Sequence, residues 1–362
     1  MKDHSIHSNA KPRLSDIARS ADVSIGTVSR VMNGKSDVAP ALAERVLLAA
    51  RALGYTRRPS AQEMIPLQSK TAMIGYLVDA PNLASVTSDP FMQHFLAGIE
   101  AGVNQKEGHL LFATCREEIA NGSMPTMITE KRVQGIVFKK AQNTPDAWIR
   151  QLAEQVPTVM LMGSCEDRSI HSVMCDNHAG TYQAMRYLRD LGHQRIGFLT
   201  IEDVGMPHNI LHLERLEAYG NYTRLLNCEI NPAYVQIPSR DHTHETLPQT
   251  VEKGLKAFLA LGEKRPTAVI CATDIYAFTL LNLATKYGVE VPHDLSVVGF
   301  MNTETCEHSS PPLTSVCLSG EEVGRVAVDL LYERIENPDL IVRHVSVGTK
   351  LIERLSCSPI SR

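Results

Sequence analysis

The chain has 362 residues, too many for one compact core, so two or three folding units are expected. Its 36 Lys and Arg against 40 Asp and Glu leave a net charge of −4, which excludes a protein coated in basic charge for indiscriminate polyanion binding. That charge is uneven: residues 1–65 carry +4 and the remainder −8, the distribution of a small DNA module on an acidic body. The eight Cys, at 115, 165, 175, 228, 271, 306, 317 and 357, form no CxxC and no zinc-ligand spacing, so reduced, packed thiols are expected. The first residues lack the apolar stretch of a signal peptide, and no apolar run approaches the ~20 residues that span a bilayer, which predicts a cytosolic protein.

In chain order, Leu14 to Asn33 has the spacing of two short helices meeting at an angle. Ile17, Ala18 and Ala21 share one face, Val28, Val31 and Met32 another, and Val23 plugs the turn. Ser24 is a good N-cap for the second helix. That helix then exposes Gly26, Thr27, Ser29, Arg30 and Asn33, a face suited to base edges and phosphates. The same spacing also suits a small solvated helical hairpin. A third helix opens near Pro40, with Leu42, Val46, Ala49, Ala50 and Leu53 as its apolar stripe and Gly54 as its stop. Residues 55–70 are polar, with two prolines, Arg57-Arg58 and an isolated Met64, and read as a linker with room for a short helix.

From Thr71 apolar strands alternate with amphipathic helices. Strands are expected at Met73 to Val78, His109 to Ala113, Gly135 to Phe138, Thr158 to Met162, Ser172 to Cys175, Arg195 to Leu199, Ala268 to Ala272 and Leu295 to Phe300. Helices lie between them, for example Phe91 to Gln105, Ala179 to Leu191, Leu213 to Leu226, Thr246 to Leu261 and Ile275 to Lys286. Such alternation implies parallel sheets covered on both faces, and the length favours two sheets over one. The expected architecture is an all-α helix-turn-helix headpiece (1–57), a hinge (58–70), a two-lobed α/β body of two parallel doubly wound sheets (71–356) and a tail (357–362). The chain is expected to cross between lobes near 173, 302 and 343, with a ligand cleft between them.

These residues resemble the LacI/GalR family of bacterial transcription repressors over nearly the whole chain. The resemblance rests on Asp16-Ile-Ala, Val23-Ser-Ile-Gly-Thr-Val-Ser-Arg-Val-Met-Asn33 and Leu53-Gly-Tyr55 in the headpiece. In the body it rests on Asp89-Pro-Phe91, Gly135-Ile-Val, Asp176-Asn177 with Gly180, Leu191-Gly-His-Gln-Arg-Ile-Gly-Phe198, Pro266-Thr-Ala-Val-Ile, Val291-Pro, Ser296-Val-Val-Gly-Phe300 and Pro312-Leu-Thr-Ser-Val316. It implies a periplasmic-binding-protein-like body and a homodimer, each headpiece reading half of a near-palindromic double-stranded operator. It places Ser15, Ser24, Ile25, Gly26, Thr27, Ser29, Arg30, Asn33, Tyr55, Arg58 and Ala61 at the DNA, with Ile25, Gly26 and Arg30 reading bases. Phosphate positioning suits Thr27 and Ser29 better than base reading. Met64 matches the hinge residue that wedges into the minor groove, where Leu is usual. Arg57-Arg58 strengthens phosphate attraction and Glu63 partly offsets it.

For the effector cleft the resemblance points to Phe91, Met162, Arg215, Thr273, Asp274 and Met301. Two positions where sugar-binding members commonly carry aspartate hold methionine, Met162 and Met301. Sugar hydroxyls buried against thioethers stay unpaired at ~1–3 kcal/mol each, so an anionic ligand held by Arg215 is favoured over a neutral sugar, with loss of the small molecule as the alternative. Asp241-His-Thr-His-Glu245 and the pair His208 and His212 read as loop polarity, so no metal is expected. The absence of GxGxxG, P-loop and GxSxG motifs predicts no cofactor and no enzyme. Trp148 is expected to pack. A solute-binding protein shares the two-lobed body, but such a protein would be exported and would carry no headpiece. The tail carries no leucine heptads, which predicts a dimer and nothing larger.

Overall fold

The computed structural model describes residues 14–32, 38–53, 72–87, 90–206, 209–241 and 243–360, and the chain divides into two units, residues 1–66 and 67–362. The expected hinge at 58–70 lies outside the described residues.

The first unit holds three helices, α1 (Leu14–Ala21), α2 (Ile25–Met32) and α3 (Pro40–Ala52). Ile17, Ala18 and Ala21 meet Val28, Val46, Ala49 and Ala50 in one core, and Val23 packs against it from the turn. Ser24 Oγ accepts the Thr27 N–H at 3.1 Å, the cap its position in the sequence predicts. Arg45 reaches back from α3 and donates to the Ala21 carbonyl at 2.7 Å, which satisfies an orphan acceptor at the end of α1. Leu53 stands outside the expected stripe and is 39 % exposed, because α3 ends one residue earlier.

The second unit is two-lobed. Its first lobe opens with β1 (Met73–Val78), β2 (His109–Thr114), β3 (Gly135–Lys139), β4 (Thr158–Leu161) and β5 (His171–Cys175). The second contains β6 (Ile196–Leu199), β7 (Glu202–Asp203), β8 (Val235–Gln236), β9 (Ser239–Arg240), β10 (Ala268–Cys271), β11 (Ser296–Met301) and β12 (Thr314–Cys317), and β13 (His344–Val347) and β14 (Lys350–Ile352) follow. One sheet runs β13-β5-β4-β3-β1-β2 and the other β14-β12-β11-β10-β6-β8, while β7 and β9 form a separate ribbon. All these pairs are parallel except β12 with β14. Strands such as Ile196–Leu199 and Ala268–Cys271 are buried at every residue, as expected where helices cover both faces.

The chain passes between lobes after Cys175, after Cys317 and between Val347 and Lys350. The second and third passages fall later than the expected 302 and 343. β12 first pairs with β11 in the second sheet, and β13 first pairs with β5 in the first. The first and third passages are bonded together, with Asp176 N–H donating to the Val347 carbonyl at 2.8 Å and Thr349 Oγ1 to the Asp176 carbonyl at 3.3 Å.

Residues 357–362, expected to be a tail, are stitched into the second lobe as far as Ile360. Ser358 N–H donates to Ser296 Oγ at 3.1 Å, and Ile360 N–H to the Leu191 carbonyl at 3.1 Å. The helix Gly320–Glu336 has no counterpart among the expected elements. Its glycines weaken a helical pattern when read locally, yet they are what lets it cross the helix Pro90–Gln105 at backbone contact. A Cβ on Gly98 would lie 1.9 Å from the Glu321 carbonyl oxygen, and one on Gly324 2.6 Å from that of Phe95.

Two substitutions separate this packing from helix propensity. Gly98→Ala is expected to lower stability by at least about 1–3 kcal/mol through overpacking. Gly220→Ala, in a helix where a Cβ meets nothing within 4 Å, is expected to raise it by about 0.5–1 kcal/mol. Urea midpoints of the two variants decide between these signs.

Candidate nucleic-acid interface and effector cleft

The outer surface of the headpiece is set by which residues its core takes. Val28 is fully buried, so α2 turns Ile25, Gly26 and Arg30 outward, with Thr27 and Ser29 half-buried beside them. Ile25, a large apolar side chain, is 54 % exposed. At Gly26 a Cβ would meet only Ser24 Oγ, at 3.6 Å, so nothing among the described residues requires a glycine there. Glycine costs a helix about 1 kcal/mol relative to alanine, and the open space above it is room for a close external approach. Ser15 lies half-buried in α1, whereas Asn33, Tyr55, Arg58, Ala61 and Met64 lie outside the described residues.

In the body, strand order locates the cleft. From β1 the chain runs outward to β2 and returns to β3 on the other side of β1; from β6 it runs outward to β8 and returns to β10 on the other side of β6. Each reversal leaves a crevice at the carboxyl ends of the strands, where open α/β sheets take ligands. In the first lobe the crevice holds Asp79, 6 % exposed, which accepts from Arg116 Nε and Thr144 Oγ1, while its N–H donates to the Lys139 carbonyl. In the second lobe it holds Thr200 at the end of β6, Tyr276 after β10, and His212 and Arg215 one turn apart on the helix Ile210–Leu225.

Arg215 is 2 % exposed. Its Nε donates to Asn177 Oδ1 at 2.8 Å and its Nη1 to the Ala272 carbonyl, and its guanidinium lies 4.6 Å from the centre of the Phe300 ring. Asn177, first in the helix after the first passage between lobes, also donates to Glu214 Oε2 at 2.6 Å. Arg215 is thereby brought beside Thr273 and Met301, the residues that follow Ala272 and Phe300.

Asp274, expected at the ligand, points inward instead. It is 1 % exposed and accepts from Ser315 Oγ, the Thr303 N–H at 2.9 Å and Cys306 Sγ at 3.2 Å. Burial pushes its carboxyl above the usual carboxylate range, and these donors oppose the shift. Thr273 caps the helix Asp274–Lys286, its hydroxyl accepting the Ile275 N–H at 3.1 Å. Met162 and Met301 follow or end β4 and β11 at φ 52° and 114°, the sharp turns by which the chain leaves each sheet. Phe91 is buried against Phe95, with ring centres 4.6 Å apart.

His212 was expected to be loop polarity, yet its Nδ1 lies 3.2 Å from Thr200 Oγ1 and its ring meets Tyr276 edge-on at 5.8 Å. The available signal was its place three residues before Arg215, which puts both on one helical face. His208 lies outside the described residues, and no group of three metal-binding side chains occurs among the described residues. Trp148 is buried, its Nε1 donating to the Ser123 carbonyl at 2.8 Å. Burial pushes the Cys175 thiol, against Arg215, up to about 11.

Residues 13–58 match the bacterial regulatory proteins of the lacI family, and residues 185–357 match the periplasmic binding protein-like domain. The catabolite control protein A of Priestia megaterium is 30% identical over 320 residues, spanning 87% of this chain and 90% of that protein. The HTH-type transcriptional repressor CytR of Escherichia coli K12 is 29% identical over 342 residues, 94% of this chain and 93% of that one. Among solved structures, the complex of the transcriptional regulator CelR with cellobiose covers 95% of this chain and 99% of its own, with a TM-score of 0.65 at 26% identity.

Burial, with Arg215 close by, lowers the His212 imidazole to about 3, so it stays neutral in the folded protein. The unfolded chain binds a proton there below pH ~6.5, and the stability this neutral group confers is expected to fall as pH drops from that value toward 3. Melting His212→Gln beside the parent chain across this window checks the sign: the variant's curve should be flatter.

Proposed function

The chain belongs to the lacI family of bacterial regulatory proteins and is a DNA-binding transcriptional repressor rather than an enzyme, and from that premise we propose a cytoplasmic homodimer that reads a near-palindromic operator under control of a small anionic metabolite. The face of α2 carries this reading: Arg30 has the geometry to donate twice to a guanine, and Gly26 gives up helix stability for close approach. Thr27 and Ser29 position phosphates beside them. No helix among the described residues is long and apolar enough to cross a membrane. For the linker, which lies outside the described residues, the family resemblance assigns Arg58 and Ala61 to the DNA and Met64 to the minor-groove wedge.

Dimerisation suits the end of the second lobe, where Val204, Ile210, Leu213, Ile237 and Ile275 are exposed around the β7–β9 ribbon and the neighbouring helix starts. A second copy covers such an apolar rim and sets two headpieces on successive half-sites.

The effector reading rests on Arg215. Two of its donors are committed to Asn177 and Ala272, and the rest of the fork, beside Thr273 and Met301, suits a phosphate or carboxylate. On the facing lobe the resemblance assigns Phe91 and Met162 to the ligand, and both side chains are buried in the lobe's core. CelR holds a neutral disaccharide, but Met162 and Met301 offer no acceptor for sugar hydroxyls. A regulator without any effector is the second reading, favoured by how far the protein itself already satisfies Arg215.

Arg30→Ala is expected to lose about 1–3 kcal/mol of discrimination at one base pair in each half-site, read by gel shift against operator variants. Unchanged selectivity would sink the assignment. In a thermal-shift screen, phosphorylated or carboxylated metabolites should raise Tm. Stabilisation by neutral sugars alone would overturn the anionic reading.

A further inference from the structure

His212 and Tyr276 stand at the reversal point of the second sheet with polar atoms that take no partner among the described residues. Thr200 Oγ1 engages only Nδ1 of the imidazole, at 3.2 Å, and the other ring nitrogen and the Tyr276 hydroxyl have none. A polar group held this way in a closed-in site is completed by water or by a ligand. The two rings lie at 76° with centres 5.8 Å apart, and Tyr276 is 8 % exposed. Behind them Asp203 and Arg240 pair at 2.8 Å, so the nearby charges on the ribbon neutralise each other. Arg215 follows one helical turn after His212, its guanidinium over Phe300.

Two rings at right angles make a corner in which a flat unsaturated ring stacks on one and meets the edge of the other. The thioether of Met301, half-buried at the end of β11 in the same lobe, suits an aromatic edge and offers no acceptor to hydroxyls. A polyhydroxylated ring needs many polar partners, and this corner supplies two.

From this corner we infer that His212 and Tyr276 are specificity residues of the effector cleft, and that the effector carries a planar heteroaromatic ring together with its anionic group. This rests on the reading of Arg215 as the anion-binding residue. Neither side chain belongs to the set expected from sequence, and each offers a polar atom with no partner among the described residues.

The test uses the full-length chain with two planar acids, pyridine-3-carboxylate and pyrimidine-4-carboxylate, and one saturated acid of the same charge, cyclohexanecarboxylate. Thermal shift and calorimetry should show stabilisation by the planar acids and not by the saturated one. Tyr276→Phe keeps the ring and removes only the hydroxyl, and should weaken binding of the planar acids about tenfold; His212→Ala should weaken it at least as much. Circular dichroism verifies that each variant folds. Equal stabilisation by cyclohexanecarboxylate, no stabilisation by either planar acid, or unchanged affinity in both variants overturns the inference. Loss of binding in Arg215→Lys with full affinity in the His212 and Tyr276 variants overturns it while leaving the anionic reading intact. Stabilisation by neutral sugars alone overturns both.

Discussion

A buried guanidinium organises the body of this protein. A charge removed from water is tolerated only where partners surround it, and those of Arg215 come from three separate elements: Asn177 at the first passage between lobes, the Ala272 carbonyl after β10, and the Phe300 ring in β11. Any ligand that bonds to the rest of the fork pulls on the residue that begins the crossing. That crossing is itself bonded to the third one through Asp176 and Val347, so Arg215 and the passages between the lobes share one connected network. An arginine in this position ties three elements of the fold together.

The same economy explains Asp274. Placed one residue past the strand-end Thr273, it turns inward and ties Ser315, Thr303 and Cys306 into the floor beneath the cleft. With that acid taken up by the interior and methionines at two other strand ends, the polar character of the second-lobe crevice falls to Arg215, His212, Thr200 and Tyr276. A buried imidazole kept neutral there offers direction without charge, and charge is left to the arginine.

The headpiece divides its roles differently. Its seven-residue core is small, and Arg45 supplements it by closing the end of α1. Gly26 gives up helix stability with no steric reason among the described residues. That local cost sits on the exposed side of α2 beside Arg30.

Much of this was legible in the residues alone. The pairing of Ile17, Ala18 and Ala21 with Val28, the Ser24 cap and the apolar runs of β1, β6, β10 and β11 are local periodicities, and each forms as its spacing requires. What tertiary structure decided is which groups meet across long separations: Arg215 with Ala272, 57 positions apart, and Asp274 with Ser315, 41 apart. It also decided that Gly320–Glu336 is a helix, since its glycines fit against the backbone and side chains of the helix Pro90–Gln105, and that Ser358 and Ile360 belong to the second lobe. Side-chain spacing determines which face of a helix or strand is buried, because that depends on near neighbours in sequence. The partner waiting at that face is chosen by the packing of distant segments, and so the core of the headpiece was readable from the chain while the arrangement of the cleft was not.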